Sequence, residues 1–161
     1  LREVEEAASV PVLVRLLARE SVAKVRAEIV GALGEIEDAS AIPALGAALS
    51  DPDIIVREQA AWAMGAMESR EGVRHLIPVL ADASPLVRER AAWALGAIED
   101  PSAVTALLAL LEDVDPAVRE RAAWALGSIG DEQAVDALIA LMNDGDIEVR
   151  RMATWALSEL D

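Results

Sequence analysis

One segment recurs along the chain with little change and reads Val87-Arg88-Glu89-Arg90-Ala91-Ala92-Trp93-Ala94-Leu95-Gly96-Ala97-Ile98-Glu99-Asp100. A near copy runs from Val118 to Asp131. The pair Val-Arg occurs five times at a constant step of 31 residues, beginning at residues 25, 56, 87, 118 and 149. Self-similarity at such a step is the signature of a repeat architecture.

Each repeat contains two patterns that predict helices. In the second pattern, apolar residues fall at positions i, i+4, i+7, i+8 and i+11, namely Val87, Ala91, Ala94, Leu95 and Ile98. This spacing places them on one face of an α-helix. The first pattern, from Ala103 to Leu111, is apolar almost throughout. We therefore expect two antiparallel helices of about 10 to 14 residues in every repeat.

The predicted fold is all-α. A single pair of short helices has little surface against which to bury its apolar faces, whereas stacked pairs cover one another. We expect an α-solenoid of about five stacked antiparallel helix pairs, which forms a single repeat domain over residues 1–161. The expected units lie near residues 1–36, 37–67, 68–98, 99–129 and 130–161.

The boundaries between helices carry capping residues. Side chains that favour helix N-caps precede each second helix at Asp53, Ser84, Asp115 and Asp146, and each first helix at Asp38, Ser69, Asp100 and Asp131. Pro85, Pro101 and Pro116 fit the first helical position, while Pro43 and Pro78 lie deeper and predict a local bend. Gly130 predicts a helix end. Glu3, Glu5 and Glu6 at one end, and Thr154 and Ser158 at the other, are expected to form polar covers.

Composition excludes several classes of function. The 161 residues carry 29 acidic and 14 basic side chains, a net charge of −15, which argues against a nucleic-acid partner. With no cysteine and one histidine, we expect no disulfide, no metal site and no cofactor. The lone His75 has no second histidine near it, and we expect it to be structural. No apolar stretch approaches the length that spans a bilayer, so membrane insertion is not expected, and a cytoplasmic location is favoured.

The pattern V-R-x-x-A-A-x-A-L-G-x-I resembles the short HEAT-like repeats of bacteria and archaea that are named after phycobilisome lyases. The resemblance covers essentially the whole chain. It implies an α-solenoid, and such repeats occur in adaptors, lyase-type chaperones and regulatory modules. It also implies that the arginines of the Val-Arg pairs tie consecutive units together through boundary acids such as Asp100 and Asp131. These arginines are Arg57, Arg88, Arg119 and Arg150.

A column of tryptophans follows the same 31-residue step, at Trp62, Trp93, Trp124 and Trp155. On a helical wheel Trp93 falls about 150° from the centre of the apolar stripe, which places it on the concave side of the solenoid. Large aromatics and arginines dominate binding hot spots. The predicted partner-binding residues are the four tryptophans together with Leu86, Arg90, Arg121, Gln59 and Met152. A second interpretation is that each indole cements neighbouring helices, and a third is self-association.

These observations predict a non-catalytic scaffold or adaptor that binds a protein or peptide along the tryptophans. The acidity of the chain favours a partner with basic residues. Two alternatives remain open. The chain could be a regulatory or chaperone-like module of a larger enzyme system, either of lyase type or as the tail of a membrane peptidase or sensor. It could also be a structural spacer or a designed repeat protein.

Overall fold

The computed structural model describes residues 2–160, with side chains from Ser9 onward. Within residues 2–160 the chain forms ten α-helices and no β-strand. They are α1 (Arg2–Leu17), α2 (Ala23–Ile36), α3 (Ile42–Ala48), α4 (Ile54–Ala66), α5 (Val73–Leu76), α6 (Pro85–Ile98), α7 (Val104–Leu110), α8 (Pro116–Ile129), α9 (Val135–Leu141) and α10 (Ile147–Glu159). The side chains of Glu3, Glu5 and Glu6, expected to form a polar cover, lie outside the described side chains.

The even-numbered helices, called the second helices below, form one side of the stack. Each of them packs closely against the next, from α2 through to α10. The odd-numbered first helices pack mainly on their own second helix and touch the next unit chiefly at its short 3₁₀ turns. This arrangement confirms the predicted all-α solenoid of stacked helix pairs with a 31-residue period.

Four of the five first helices are shorter than predicted, whereas α1 has 16 residues. The α-helical part has seven residues in α3, α7 and α9 and only four in α5. A three-residue 3₁₀ turn, such as Pro101–Ala103 before α7, precedes each of these four helices. Pro78 lies in a 3₁₀ helix, Ile77–Ala81, that replaces the continuation of α5. Because proline has no N–H to donate, the bend expected there takes the form of a change of helix type.

Aspartates cap the helices as predicted, and serines do not. Asp53, Asp115 and Asp146 accept a backbone N–H in the first turn of a second helix. Asp38, Asp100 and Asp131 do the same at the 3₁₀ turns. Ser69 and Ser84 occupy the predicted N-cap positions, but their side chains accept no such bond. Pro85, Pro101 and Pro116 occupy the first turns of their helices.

The core runs through the stack between first and second helices. Its largest fully buried side chains include Leu33, Leu45, Met64, Leu95 and Leu126. Among the described residues no polar or charged residue is buried, and no buried side-chain nitrogen or oxygen lacks a hydrogen bond. Specific polar contacts therefore lie at the margins of the core, where they set the register of the units.

The most regular of these contacts is a row of ion pairs, the arginine–aspartate ladder. In the first four of the five periodic Val-Arg pairs, the arginine donates from Nε and Nη2 to both carboxylate oxygens of an aspartate 25 residues later. The pairs are Arg26–Asp51, Arg57–Asp82, Arg88–Asp113 and Arg119–Asp144, with Nε–Oδ2 distances of 2.8, 2.8, 2.7 and 2.8 Å. Because paired residues belong to consecutive units, each pair joins one unit to the next.

The third nitrogen of each ladder guanidinium, Nη1, donates to the backbone. Nη1 of Arg88 donates to the backbone carbonyl of Asp82 at 2.8 Å, and the other ladder arginines bond the corresponding carbonyl of their own units. Arg150 donates to the carbonyls of Asp144 and Gly145 and has no carboxylate partner among the described residues.

The predicted partners of these arginines, Asp100 and Asp131, were wrong. Their carboxylates cap the 3₁₀ turns Pro101–Ala103 and Glu132–Ala134. Asp100 is also 3.6 Å from the exposed Arg70. The physical reason is the direction of the arginine side chain, which leaves the flank of its helix toward the turn before the next second helix. The carboxylate in that turn is the one 25 residues away.

Asp113→Ala tests how much the ladder contributes to the free energy of unfolding. It removes a bidentate hydrogen bond between side chains that are only 13% and 9% exposed, and it also frees the backbone N–H of Asp115. We expect the free energy of unfolding to fall by about 2 kcal/mol in urea titrations at pH 7. Arg70→Ala is the matched control, because Arg70 is 79% exposed, and it should cost less than about 0.5 kcal/mol.

The same variant has a defined pH signature. Burial tends to raise the pKa of Asp113, but the hydrogen bonds from Arg88 and from the backbone N–H of Asp115, together with the positive charges of Arg88 and Arg119, outweigh it, so this pKa lies below its usual value. A depressed pKa stabilises the fold above the unfolded value of about 3.9, and this stabilisation is lost as the pH falls below it. Unfolding titrations between pH 7 and pH 3 should show a shallower loss of stability for Asp113→Ala than for the unchanged chain. Parallel profiles would contradict this.

A strained residue follows three of the second helices. Glu37, Glu68 and Glu99 have φ angles of 55°, 47° and 53°, and Gly130 occupies the equivalent position with a φ of 72°. Only glycine adopts this left-handed region without a steric cost. We expect Glu99→Gly to raise the free energy of unfolding by about 1 kcal/mol, measured by urea titration. Gly130→Ala should lower it, and equal stability of all three chains would show that the strain is negligible.

Candidate partner-binding surface

The predicted binding residues lie on the side of the second helices that faces away from the first helices. We call this side the second-helix surface. Three rows run across it from unit to unit. They are the tryptophans Trp62, Trp93, Trp124 and Trp155; the row one turn earlier, Gln59, Arg90, Arg121 and Met152; and the row Lys24, Ile55, Leu86, Ala117 and Glu148. Because second helices pack closely while first helices contact the next unit chiefly at its turns, we expect this surface to be the inner, concave side of the stack.

Each indole lies against a glycine of the preceding second helix. A Cβ atom at Gly65 would be only 2.7 Å from Cζ3 of Trp93 and 2.7 Å from Cα of Ala94. The same overlap recurs for Gly96 with Trp124 and for Gly127 with Trp155, at 2.5 and 2.9 Å from Cζ3. At Gly34 the Cβ would be in contact with Cζ3 of Trp62 at 3.4 Å and would overlap Cβ of Ala63 at 2.6 Å. The tryptophans therefore link neighbouring helices, as the cementing interpretation predicts. They also remain accessible, since three are half-buried and Trp155 is 36% exposed.

Two arginines lie over the tryptophan rings. The guanidinium carbons of Arg90 and Arg121 are 5.9 and 5.6 Å from the ring centres of Trp93 and Trp124. This distance is within the range of a cation–π contact. Each arginine also reaches back to a glutamate of the preceding helix, Arg90 to Glu58 at 3.1 Å and Arg121 to Glu89 at 3.3 Å. At the centre of the surface the positive charges of Arg90 and Arg121 are therefore compensated by these two glutamates.

The arginine row is interrupted at both ends. Gln59 takes the arginine position in the second unit and lies over Gly31, where a Cβ would be 2.9 Å from the glutamine Nε2. Met152 takes it in the fifth unit and packs against the core. Glu120, the counterpart of Glu58 and Glu89, consequently forms no ion pair with a described residue.

Unpaired carboxylates therefore lie at the ends of the surface. Glu28 and Glu35 line an open groove in the first unit with Lys24 and Gln59. At the other end are Glu120 and the exposed Glu159. None of these four glutamates forms an ion pair with a described residue. The predicted binding residues did not include these glutamates, although Met152 in the arginine row was a signal that Glu120 has no arginine partner.

Apolar side chains are exposed between these ends. Leu86 is 56% exposed and Ile55 is 41% exposed, although both lie on well-packed helices. Leu86 shares a small depression with Trp93, Arg90 and Arg121. The predicted binding residues thus adjoin one another in the middle of the surface, and Leu86 is the most exposed apolar residue there.

His75 lies on the opposite side of the stack. Its imidazole fills the space beside Gly46, where a Cβ would be 2.8 Å from Nδ1, and its Nε2 accepts a hydrogen bond from Nε of Arg74 at 3.3 Å. Among the described residues no group of three histidine, cysteine or acidic side chains is placed to hold a metal ion. In the same part of the chain, no helix is long and apolar enough to cross a membrane.

Comparison with known proteins agrees with this geometry. Residues 10–84 and 73–158 match the family of HEAT repeats. The chain belongs to the HEAT-repeat family. No curated protein matches its sequence significantly. The predicted resemblance to HEAT-like repeats is thereby confirmed.

Solved structures of related HEAT and armadillo proteins show the same fold. The complex of CpcE and CpcF of phycocyanin lyase from Nostoc sp. PCC7120 contains a chain that is 27% identical, with a TM-score of 0.83. The alignment covers 94% of this HEAT-repeat chain and 64% of that one, so the present chain spans less than two thirds of its length. A designed armadillo repeat protein in complex with the peptide (KR)4 is 24% identical, covers 99% and 85% of the two chains, and has a TM-score of 0.74.

Human deoxyhypusine hydroxylase also shares the fold. It is 24% identical, with a TM-score of 0.58 over 96% of this chain and 74% of the hydroxylase. The fold therefore occurs both in binding proteins and in an enzyme, and it does not define an activity by itself.

Gly65→Ala tests whether the glycine column sets the distance between second helices. Alanine favours a helix by about 1 kcal/mol over glycine, but its Cβ would overlap the backbone of Ala94 and the indole of Trp93. We expect a net loss of about 1–3 kcal/mol in the free energy of unfolding. Gly145→Ala is the control, because nothing lies within 4 Å of its Cβ position. A stabilised Gly65→Ala variant would contradict the close-contact account.

Proposed function

We propose that the chain is a non-catalytic module that binds a segment of a partner protein on its second-helix surface. The observation that carries this proposal is the exposure of Leu86 and Ile55 beside half-exposed indoles on consecutive helices. Contiguous exposed apolar groups on a stable fold are typical of interaction sites, and tryptophan is the residue most enriched in binding hot spots.

The similarity to the CpcE–CpcF complex supports a protein partner. That chain is seen in complex with another protein, and the aligned parts of the two chains are 27% identical. Only the capacity to bind a protein is carried over here. The lyase activity is a property of a longer complex, and we assign no catalytic step to this chain.

Charge supports a partner with basic residues. The chain has a net charge of −15, and free glutamates lie at the ends of the surface. Such a field attracts cationic partners and raises their association rate at low ionic strength. Binding that does not change between low and high salt would contradict this part of the proposal.

A second candidate function is that of a lyase-type module that holds a flat chromophore between tryptophans. The similarity to a phycocyanin lyase chain favours it. However, Arg90 and Arg121 lie over the rings of Trp93 and Trp124 and already occupy the face that a chromophore would need. We therefore favour a protein segment over a chromophore as the ligand of this surface.

Leu86→Glu tests the proposed surface. Leu86 is 56% exposed, so the substitution should leave the far-ultraviolet circular dichroism and the unfolding midpoint unchanged. Leu16→Glu is the matched control, because Leu16 is 51% exposed on the first helix. With the chains immobilised and exposed to extract of the source cells, proteins bound by the unchanged chain should be retained by Leu16→Glu and lost by Leu86→Glu. Equal retention by both variants would place binding elsewhere.

A further inference from the structure

The arginine row of the second-helix surface shows how this chain binds a guanidinium group. Arg90 donates to Glu58 of the preceding unit at 3.1 Å and lies over the ring of Trp93, with its guanidinium carbon 5.9 Å from the ring centre. The next unit repeats both contacts, at 3.3 and 5.6 Å. A glutamate of one unit and a tryptophan of the next thus enclose a guanidinium site, which the chain fills with its own arginine.

The fifth unit retains the glutamate and the tryptophan of this site but not the arginine. Glu120 precedes Met152 by 32 residues, as Glu58 precedes Arg90, and Trp155 follows Met152 by three. Glu120 is half-buried and forms no ion pair with a described residue. Trp155 is 36% exposed, whereas the other three tryptophans are half-buried. An acceptor and an aromatic ring therefore lie here without the cation that joins them in the two units before.

Neighbouring side chains do not supply this cation. A methionine side chain ends at Cε, where arginine continues to its guanidinium carbon and outer nitrogens, so Met152 replaces the stem of an arginine and none of its donors. Arg151 is 71% exposed and pairs with Glu148 on its own helix. Arg150 donates to backbone carbonyls of the preceding turn. The position of the guanidinium is thus accessible to an arginine of another molecule.

We infer that the fifth unit binds an arginine side chain of the partner, between the carboxylate of Glu120 and the ring of Trp155. The inference rests on the proposed function and goes further by naming the residues that receive a basic side chain. Arginine suits this place better than lysine, because its planar guanidinium can lie on an indole while its N–H groups bond a carboxylate. The ammonium group of lysine is a compact, strongly hydrated charge without a flat face.

The second unit provides a comparison within the same chain. Gln59 replaces the arginine that would precede Trp62, and Ala27 stands where the later units have a glutamate. Glu28 and Glu35 line the groove beside Gln59 but belong to other rows. Trp62 therefore has carboxylates in its vicinity but lacks the one that completes the guanidinium site.

N-acetyl-arginine amide, whose one charge is its guanidinium, tests the inference without a protein partner. In nuclear magnetic resonance spectra of the isotope-labelled chain, each of the four tryptophans gives one indole N–H signal, and Trp155→Phe identifies that of Trp155. At millimolar concentrations of the amide we expect a saturable shift of this signal, at least about three times that of any other indole. N-acetyl-lysine amide should bind at least about threefold more weakly. Equal shifts of Trp62 and Trp155, or equal binding of the two amides, would overturn the inference.

Met152→Arg tests whether the missing arginine is what leaves the site accessible. The new side chain should bond Glu120, cover Trp155 and weaken the binding of the arginine amide at least about fivefold. Thr154→Arg is the matched control, because it adds the same charge to an exposed position of the same helix outside the arginine row. Equal binding to Met152→Arg and to the unchanged chain, or equal losses in the two variants, would contradict the inference.

Glu120→Gln tests the carboxylate. We expect it to weaken the binding of the arginine amide by about threefold or more. Glu112→Gln removes an exposed carboxylate of the same unit away from the second-helix surface, and it should leave the binding unchanged. Equal effects of these two substitutions, or a larger loss in Glu159→Gln than in Glu120→Gln, would overturn the placement of the site.

The extract experiment separates this inference from the proposed function. Proteins that are lost by Leu86→Glu should also be lost by Met152→Arg and retained by Thr154→Arg. If Met152→Arg retains them, the proposed surface stands and the arginine site is overturned. If Leu86→Glu and Leu16→Glu retain them equally, the proposed function fails, whatever the amide titration shows.

Discussion

Close approach of consecutive second helices is the constraint on which the rest of this structure depends. At Gly34, Gly65, Gly96 and Gly127 a Cβ would overlap the backbone or side chain of the next helix. Glycine disfavours a helix, so its presence in the last turn of four helices has a cost that the gain in packing offsets. With the helices this close, the large indole of the next unit cannot enter the interface, and it extends over the glycine toward solvent. The apolar character of the second-helix surface is thus a consequence of tight packing beneath it.

The arginine–aspartate ladder solves a different problem, that of register. Apolar packing is not directional and would tolerate sliding of one helix pair along the next. A guanidinium that bonds a carboxylate of the following unit and a carbonyl of its own unit has fixed geometry at both sides. Arg88, for example, connects the turns that begin two consecutive second helices. The ladder therefore fixes the register of consecutive units, whereas glycine and tryptophan determine the distance between their second helices.

The period of 31 residues predicted the helices, their order and the outward direction of the tryptophans, because all three depend on spacing within one helix. It did not predict which acid binds Arg88, since Asp100 and Asp113 are both near in sequence and only the stacking of two units distinguishes them. Nor did it predict that Trp93 lies on Gly65 or that Arg90 pairs with Glu58. Those contacts join residues about 30 positions apart, and they depend on the distance between helices, which no pattern within a helix contains.

Positions that follow the repeat and positions that break it have different roles in this chain. A residue that recurs in every unit, such as the arginine of the ladder, meets the same neighbours each time and is accounted for by the stack. Gln59 and Met152 break the arginine row, and each break changes the charge of the surface beside it. Without an arginine from the fifth unit, Glu120 is left free, whereas Glu58 and Glu89 are neutralised. Recognition in a repeat protein of this kind is therefore to be sought where the period fails, because a strictly periodic surface would offer every register of a partner the same contacts.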